Sequence, residues 1–318
     1  MEVSQITSPV TRILCVVGAR PNFIKIAPIM RALNNPNLPL SCKLVHTGQH
    51  YDAAMKHSFF DQLSIPEPDI DLGVGSGSHA VQTAEVMKRI EPVIDDLKPD
   101  AVLVVGDVNS TIASALVSVK KSIPVFHVEA GLRSGDRTMP EEINRILTDQ
   151  ISDMLFTTEK KALDNLVHEG IDRERIHFVG NVMIDSLRYN LANAISPDRM
   201  FSSMCNKDES SLFKAGYGIV TLHRPSNVDN PVVLGRLLTV LREISESLPL
   251  VFPVHPRTKQ SIDNAGLEKL LIGPQFLILP PLGYREMLGL MKEAKMVLTD
   301  SGGMQEETTA LGVPCITL

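Results

Sequence analysis

Three segments place acids just after parallel strands or at the start of the helix that follows. In GDVNST, Asp107 follows the β-branched run Ala101 to Val105; in HVEAGLRS, Glu129 follows Val125 to Val128; in MPEEINR, Glu141 and Glu142 open the next helical segment. Successive strand ends of a parallel sheet share one rim, so these acids face a common ligand. Several carboxylates on one rim repel unless they share protons or meet cations such as Arg20, Arg133 and Arg145, which is how acid and base roles are separated at neutral pH. A single rim Asp would read as a helix cap. Three in succession read as proton-transfer groups, without the pattern saying which is acid and which is base.

Three further segments suit an anion. GARPNFIK, Gly18 to Lys25, lies where a first strand gives way to a helix, so backbone N–H groups, Arg20 and Lys25 can converge there. It is neither a P-loop nor GxGxxG, and a surface corner with two basic residues is its plain alternative. TLHRPSNVDN sets His223 and Arg224 after a strand ending at Leu222, a place that favours a ligand role although a lone His is often structural. In TDSGGMQEET, Thr299 to Thr308, Ser301, Gly302 and Gly303 expose N–H groups ahead of a helix predicted to begin near Met304, which makes a phosphate cradle. Glu306 and Glu307 follow one turn later, where a carboxylate can accept from both ribose hydroxyls or can simply favour the start of a helix. His46, His50, Asp52 and His57 are close in sequence but lack HExxH or comparable spacing, and TGQHYD reads as a loop entering a helix, so no metal site is expected.

Positioning these groups falls to an α/β chain. Short β-branched runs alternate with helical periods, the mark of βαβ units and a parallel sheet. Strands are predicted at Arg12 to Val17, Cys42 to His46, Ala101 to Val105, Val125 to Val128, Met154 to Thr157 and Ile176 to Val179, with a helix from about Asn22 after Pro21. From about Ile195 to Lys214 the chain turns polar and reads as a connection. Strands then resume at Gly218 to Leu222, Leu250 to Val254, Phe276 to Leu279, Met296 to Thr299 and Cys315 to Leu318. Two Rossmann-like halves, residues 1–194 and 195–318, imply a cleft between the carboxyl ends of two sheets.

Composition narrows the rest. The 318 residues carry 31 Lys plus Arg against 37 Asp plus Glu, a formal charge of -6, which argues against a general nucleic-acid binder. Hydrophobic residues at 43% exclude disordered and fibrous classes, and 4% aromatics with no Trp argue against a base-stacking platform. The 13 Met read as core gap-fillers. Cys15, Cys42, Cys205 and Cys315 form no CxxC pair and read as reduced core thiols. No apolar run is long enough to span a bilayer, and MEVSQITSPV lacks the basic-then-apolar order of a signal peptide; a cytoplasmic protein without a membrane partner is expected.

Taken together, GARPNFIK, TGQHYD, GDVNST, HVEAGLRS, RTMPEEINR, FTTE, VGNVMID, TLHRPSN, PVHPRT, PLGY and TDSGGMQEETTALGVPC resemble the non-hydrolysing UDP-N-acetylglucosamine 2-epimerase family, in order from Gly18 to the last residue. The resemblance implies a GT-B type fold of two Rossmann-like parallel-sheet domains with the active site in the interdomain cleft, and a homodimer. It implies reversible conversion of UDP-N-acetylglucosamine to UDP-N-acetylmannosamine, for polysaccharide biosynthesis, without a cofactor. Asp107, Glu129 and Glu141 match the family's acid/base groups. Arg20, Lys25, Arg145 and His223, with Ser301, Gly302 and Glu307, match positions that bind the nucleotide, its diphosphate or the sugar, and His223 is counted with the catalytic set.

Two departures accompany the match. ProSerAsn follows His223 and Arg224 where other branches have an Arg and a Glu linked with a second, activating substrate molecule. Family members also continue with a TERP-containing motif and helices, so the second domain is expected to lack its C-terminal end after the apolar VPCITL. Rival readings are a GT-B glycosyltransferase, which needs an acceptor, a hydrolysing epimerase, which frees the sugar, and a nucleotide-sugar binding remnant.

Overall fold

The computed structural model describes residues 10–48, 60, 62–204 and 207–318. His50, Asp52 and His57, most of TGQHYD, the start of MEVSQITSPV and Cys205 lie outside the described residues. Two compact units divide between Ser186 and Leu187, within a helix, whereas the sequence suggested a boundary after residue 194.

In the first unit, strands β1 (Thr11–Val17), β2 (Leu40–His46), β3 (Ile70–Asp71), β4 (Ala101–Val105), β5 (Val125–Ala130), β6 (Met154–Thr157) and β7 (Ile176–Phe178) form a parallel sheet in the order β3-β2-β1-β4-β5-β6-β7. Helices α1 (Arg20–Leu33), α2 (His79–Leu97), α3 (Asn109–Lys120), α4 (Pro140–Ile151), α5 (Lys160–His168) and α6 (Val182–Leu191) alternate with them. All five residues of β4 are buried, as expected of a central parallel strand covered on both faces. Its Val102 and Val104 pack with Leu14, Val16, Ile90 and Ile94 in a hydrophobic core of this unit. The two-residue β3 is too short to show a period in the sequence.

Helix α1 begins at Arg20, earlier than the Asn22 start read from the sequence, because Pro21 fits the first turn and the Asn22 side chain accepts the Ala19 N–H at 3.1 Å. The order reverses between β1 and β4, so the crevice beyond their carboxyl ends is the topological switch point where α/β sheets bind ligands.

The second unit holds β8 (Gly218–Thr221), β9 (Leu250–Pro253), β10 (Phe276–Leu279), β11 (Met296–Thr299) and β12 (Cys315–Thr317) in the order β10-β9-β8-β11-β12, also parallel, with its switch point between β8 and β11. Helices α7 (Pro197–Met204), α8 (Lys207–Ala215), α9 (Pro225–Val228), α10 (Pro231–Ser245), α11 (Pro256–Ala265), α12 (Tyr284–Glu293) and α13 (Gly302–Leu311) complete it. Leu234, Leu238 and Leu241 of α10 meet Val220, Leu250, Phe252 and Leu298 of the sheet.

The segment read as a connection is instead a helical pair, α7 and α8. Its polar composition conceals Phe201 and Phe213, both fully buried, with ring centroids 5.6 Å apart and Tyr217 packed edge-on at 5.3 Å from Phe201. Strand β12 lies at the edge of the sheet, paired only with β11 among the described residues.

Candidate active site

At the first switch point the chain after β1 meets the chains after β4 and β5. The Asn22 side chain donates to the Val105 carbonyl at 2.8 Å, which pins the start of α1 to the end of β4. One turn further, Lys25, 9% exposed, forms an ion pair with Glu129. Glu129 sits at φ 73°, a left-handed conformation uncommon for a side-chain-bearing residue, where the β5–β6 register shifts between Val128 and Ala130.

Gly106, at φ 69°, fits beneath this pair. A Cβ there would come within 3.0 Å of the Asn22 amide, 3.2 Å of the Glu129 carboxylate and 3.4 Å of the Lys25 ammonium. Glycine is required both for the backbone angle and for the approach of three polar side chains.

Asp107, next in the chain, accepts from Arg145 at 2.6 Å, and the other arm of Arg145 reaches Glu142 at 2.8 Å. Asn144 donates to the Asp107 carbonyl at 2.9 Å. Buried Glu142 also accepts the N–H groups of Ser134 and Gly135 at 3.0 and 2.9 Å. Burial pushes its carboxyl up, but these N–H groups, the Ser134 hydroxyl and Arg145 outweigh it and hold the group below the ordinary Glu value. Glu142 is therefore an ionised anchor for the loop ahead of α4. Glu141, half-buried beside it, is outside this set of ion pairs. Arg20 opens α1.

Below Gly106 lies a group that the sequence reading passed over. His127 is fully buried; its Nε2 faces the Gly106 carbonyl at 2.8 Å and its Nδ1 faces the Asp149 carboxylate at 2.7 Å. Burial lowers its pKa, but Asp149, the Gly106 carbonyl and Glu129 outweigh that and hold the ring above the ordinary histidine value. HVEAGLRS contained the signal, since His127 stands inside a predicted parallel strand, where a buried ring must find hydrogen-bond partners.

The second unit builds its rim around Asp300, which sequence reasoning also missed although it directly follows a strand, as Asp107 nearly does. Asp300 is 1% exposed and accepts the N–H groups of His223 at 2.9 Å and Arg224 at 2.8 Å. Its other oxygen pairs with His223 Nδ1 at 2.8 Å. Burial works against its ionisation, yet the His223 ring and the two N–H groups bring its pKa down to about 2. The His223 side chain is 43% exposed, so its Nε2 is the nitrogen left for a ligand.

Helix α13 starts at Gly302, before the predicted Met304, because Ser301 is extended and its N–H is taken by the Thr299 hydroxyl at 3.0 Å. The first-turn N–H groups of such a helix have no partner within it and suit phosphate oxygens. A Cβ at Gly302 would meet nothing within 4 Å among the described residues. Glu307 turns inward, 5% exposed, and accepts from the Tyr284 hydroxyl at 2.9 Å.

Lys25 with Glu129, Asp107 with Arg145, and His223 with Asp300, the residue before Ser301, are thus brought together within their own units. Among the described residues no cluster of three or more His, Cys, Asp or Glu could hold a metal ion, and no helix is long and apolar enough to cross a membrane.

The family model described as UDP-N-acetylglucosamine 2-epimerase matches residues 31–318. A UDP-N-acetylglucosamine 2-epimerase of Methanococcus maripaludis is 44% identical over 308 residues, 95% of this chain and 81% of its own length. A UDP-2,3-diacetamido-2,3-dideoxy-D-glucuronate 2-epimerase of Pseudomonas aeruginosa is also 44% identical, over 310 residues, 96% and 83% of the two chains. The crystal structure of Methanocaldococcus jannaschii UDP-GlcNAc 2-epimerase in complex with UDP-GlcNAc and UDP is similar with a TM-score of 0.82 at 42% identity, covering 97% of this chain and 84% of that one.

Proposed function

Because the chain belongs to the UDP-N-acetylglucosamine 2-epimerase family, whose fold is of the GT-B type, we propose that it interconverts UDP-N-acetylglucosamine and UDP-N-acetylmannosamine by eliminating UDP and adding it back. The observation that carries the reading is the first switch point, where Glu129 meets Lys25 and Asp107 meets Arg145. It sets two carboxylates, each beside a cation, at adjacent strand ends.

The C2 proton is not acidic in the substrate, since no carbonyl activates it. Cleavage of the anomeric C–O bond leaves its electron pair on departing UDP and makes C1 oxocarbenium-like. A carboxylate then takes the C2 proton, the C–H electrons become the C1–C2 double bond, and 2-acetamidoglucal results. Return of a proton to C2 on the opposite face and of UDP to C1 gives the epimer.

Asp107, Glu129 and Glu141 serve as the acid/base groups. Arg20, Lys25 and Arg145 bind the substrate and offset its charge, and Ser301, Gly302 and the start of α13 take the phosphates. Glu307 takes the ribose. His223, aligned by Asp300, presents Nε2 to the diphosphate as charge develops on it. A cytoplasmic homodimer serving polysaccharide biosynthesis belongs to the same proposal, and sedimentation of the purified protein tests the oligomer.

In deuterium oxide, proton NMR of the protein with UDP-N-acetylglucosamine alone should show UDP-N-acetylmannosamine carrying deuterium at C2, and later deuterium in recovered substrate. An epimer without solvent deuterium overturns the elimination path. Free N-acetylmannosamine would mark a hydrolysing enzyme, and no reaction until an acceptor is added would mark a transferase. The Pseudomonas relative favours one second reading, a UDP-2,3-diacetamido-2,3-dideoxy-D-glucuronate substrate; supplying both nucleotide sugars in competition decides between them.

A further inference from the structure

Glu129 is flanked by two anchors that converge on one buried carboxylate. Asp149, wholly inaccessible, takes His127 Nδ1 on Oδ1 at 2.7 Å and the Gly131 N–H on Oδ2 at 3.0 Å. These are the residues two before and two after Glu129. The Gly131 carbonyl is tied in turn by the Asn165 side chain at 2.9 Å, and a Cβ at Gly131 would lie 2.4 Å from the Ala162 carbonyl oxygen. His127 Nε2 reaches the Gly106 carbonyl at 2.8 Å, and the Gly106 N–H donates to the Val128 carbonyl at 3.0 Å. Both nitrogens of the ring therefore face acceptors, a carboxylate and a backbone carbonyl, which only the imidazolium can satisfy. Arg133 pairs with Asp149 at 2.7 Å and with Glu169 at 2.6 Å, so charges alternate in sign from Glu169 through Arg133 and Asp149 to His127. Buried ions are expensive, and packing alone is served as well by apolar residues of similar volume.

We propose that Asp149 and His127 are positioning residues for proton transfer, clamping the chain on both sides of Glu129 and the Gly106 carbonyl beside Asp107 so that the two carboxylates keep a fixed separation. The inference rests on the reading of Glu129 and Asp107 as acid/base groups. It accounts for Glu129 holding a left-handed φ of 73°, a strain that persists only where neighbouring contacts over-determine it.

The test is Asp149→Asn, which leaves one acceptor oxygen where three donors now converge. With Glu129 displaced, kcat should fall roughly 100-fold while KM for UDP-N-acetylglucosamine changes little. The isotope effect with substrate deuterated at C2 should rise as proton transfer becomes limiting. A smaller folded fraction would lower kcat without altering the isotope effect. An unchanged kcat, or a lowered kcat with the isotope effect of the unaltered protein, overturns the proposal.

Should Asp149→Asn fail to fold, ring-15N histidine NMR of the unaltered protein decides, with His127→Gln assigning the signal: protons on both nitrogens well above the ordinary histidine pKa support the clamp, and one bare nitrogen overturns it. If the unaltered protein forms no epimer, or Glu129→Gln turns over normally, the functional reading itself fails. Epimerisation by the unaltered protein together with a normal Asp149→Asn removes this inference alone.

Discussion

Glu129 and Asp107 are held by cations of different kinds, Lys25 as a point charge and Arg145 as a fork shared with Glu142. Replacing either acid by its amide removes a proton carrier while leaving the cations for the nucleotide. Asp107→Asn and Glu129→Gln should each lower turnover by about 100-fold or more, with UDP affinity by calorimetry nearly unchanged. Near-normal turnover in both would take them out of the mechanism. Asp300 makes a different claim, on stability. Its pKa is near 2 in the fold against about 3.9 when unfolded, so the stabilisation is complete above the unfolded value and is lost as pH falls through the folded one. That amounts to about 2 kcal/mol for a buried group. The stability gap between the unaltered protein and Asp300→Asn, measured by urea unfolding, should therefore narrow from pH 5 to pH 3; a constant gap would refute the ionic role. At this scale the strand-end places of Asp107, Glu129 and His223 were legible, because acids and a histidine after a β-branched run stand out. That Glu142 rather than Glu141 turns inward was not, since neighbours on a first helical turn differ only in phase.

Among the elements, boundaries moved wherever local backbone chemistry outweighed pattern, as at Pro21 and Ser301, and a polar stretch concealed α7 and α8 because Met200, Phe201 and Phe213, which face the core, are set among charged and hydroxyl residues. Their docking leaves little room. A Cβ at Gly289 in α12 would lie 1.8 Å from the Ile195 carbonyl oxygen, just ahead of α7, and backbone cannot yield as a side-chain tip can. Gly289→Ala should destabilise the second unit toward the upper end of the roughly 1–3 kcal/mol typical of overpacking. A melting temperature within a degree of the unaltered protein would show that the chain before α7 moves freely.

For the molecule as a whole, the two units need not unfold together, because chains of more than one domain often depart from two-state behaviour. The protein has no Trp and four Tyr, of which Tyr189, Tyr217 and Tyr284 fall in the second unit. Tyrosine near-UV signals thus report chiefly on residues 187–318, whereas far-UV signals report on both units. UDP at about 100 times its Kd should stabilise the part that binds it by about 2.7 kcal/mol. The tyrosine transition should move to higher urea on adding UDP; a shift confined to the far-UV signal would place UDP on the first unit instead.

The alternation of β-branched runs with helical periods was enough, without coordinates, to specify parallel α/β halves and to put Asp107, Glu129, His223 and the Ser301–Gly302 turn at strand ends. Periodicity states which face a residue takes and where a strand stops, and both are local properties of the backbone. It does not state which strand ends are neighbours. Only the order β2-β1-β4-β5, set by crossovers and core packing, brings Lys25 to Glu129 across 104 residues and Arg145 to Asp107 across 38. The same holds for the Asp149 clamp on His127 and Gly131, and for Asp300 beneath His223 across 77 residues. His127, Asp149 and Asp300 are ordinary acids or bases in the sequence, and burial beside a distant opposite charge is what gives each a task.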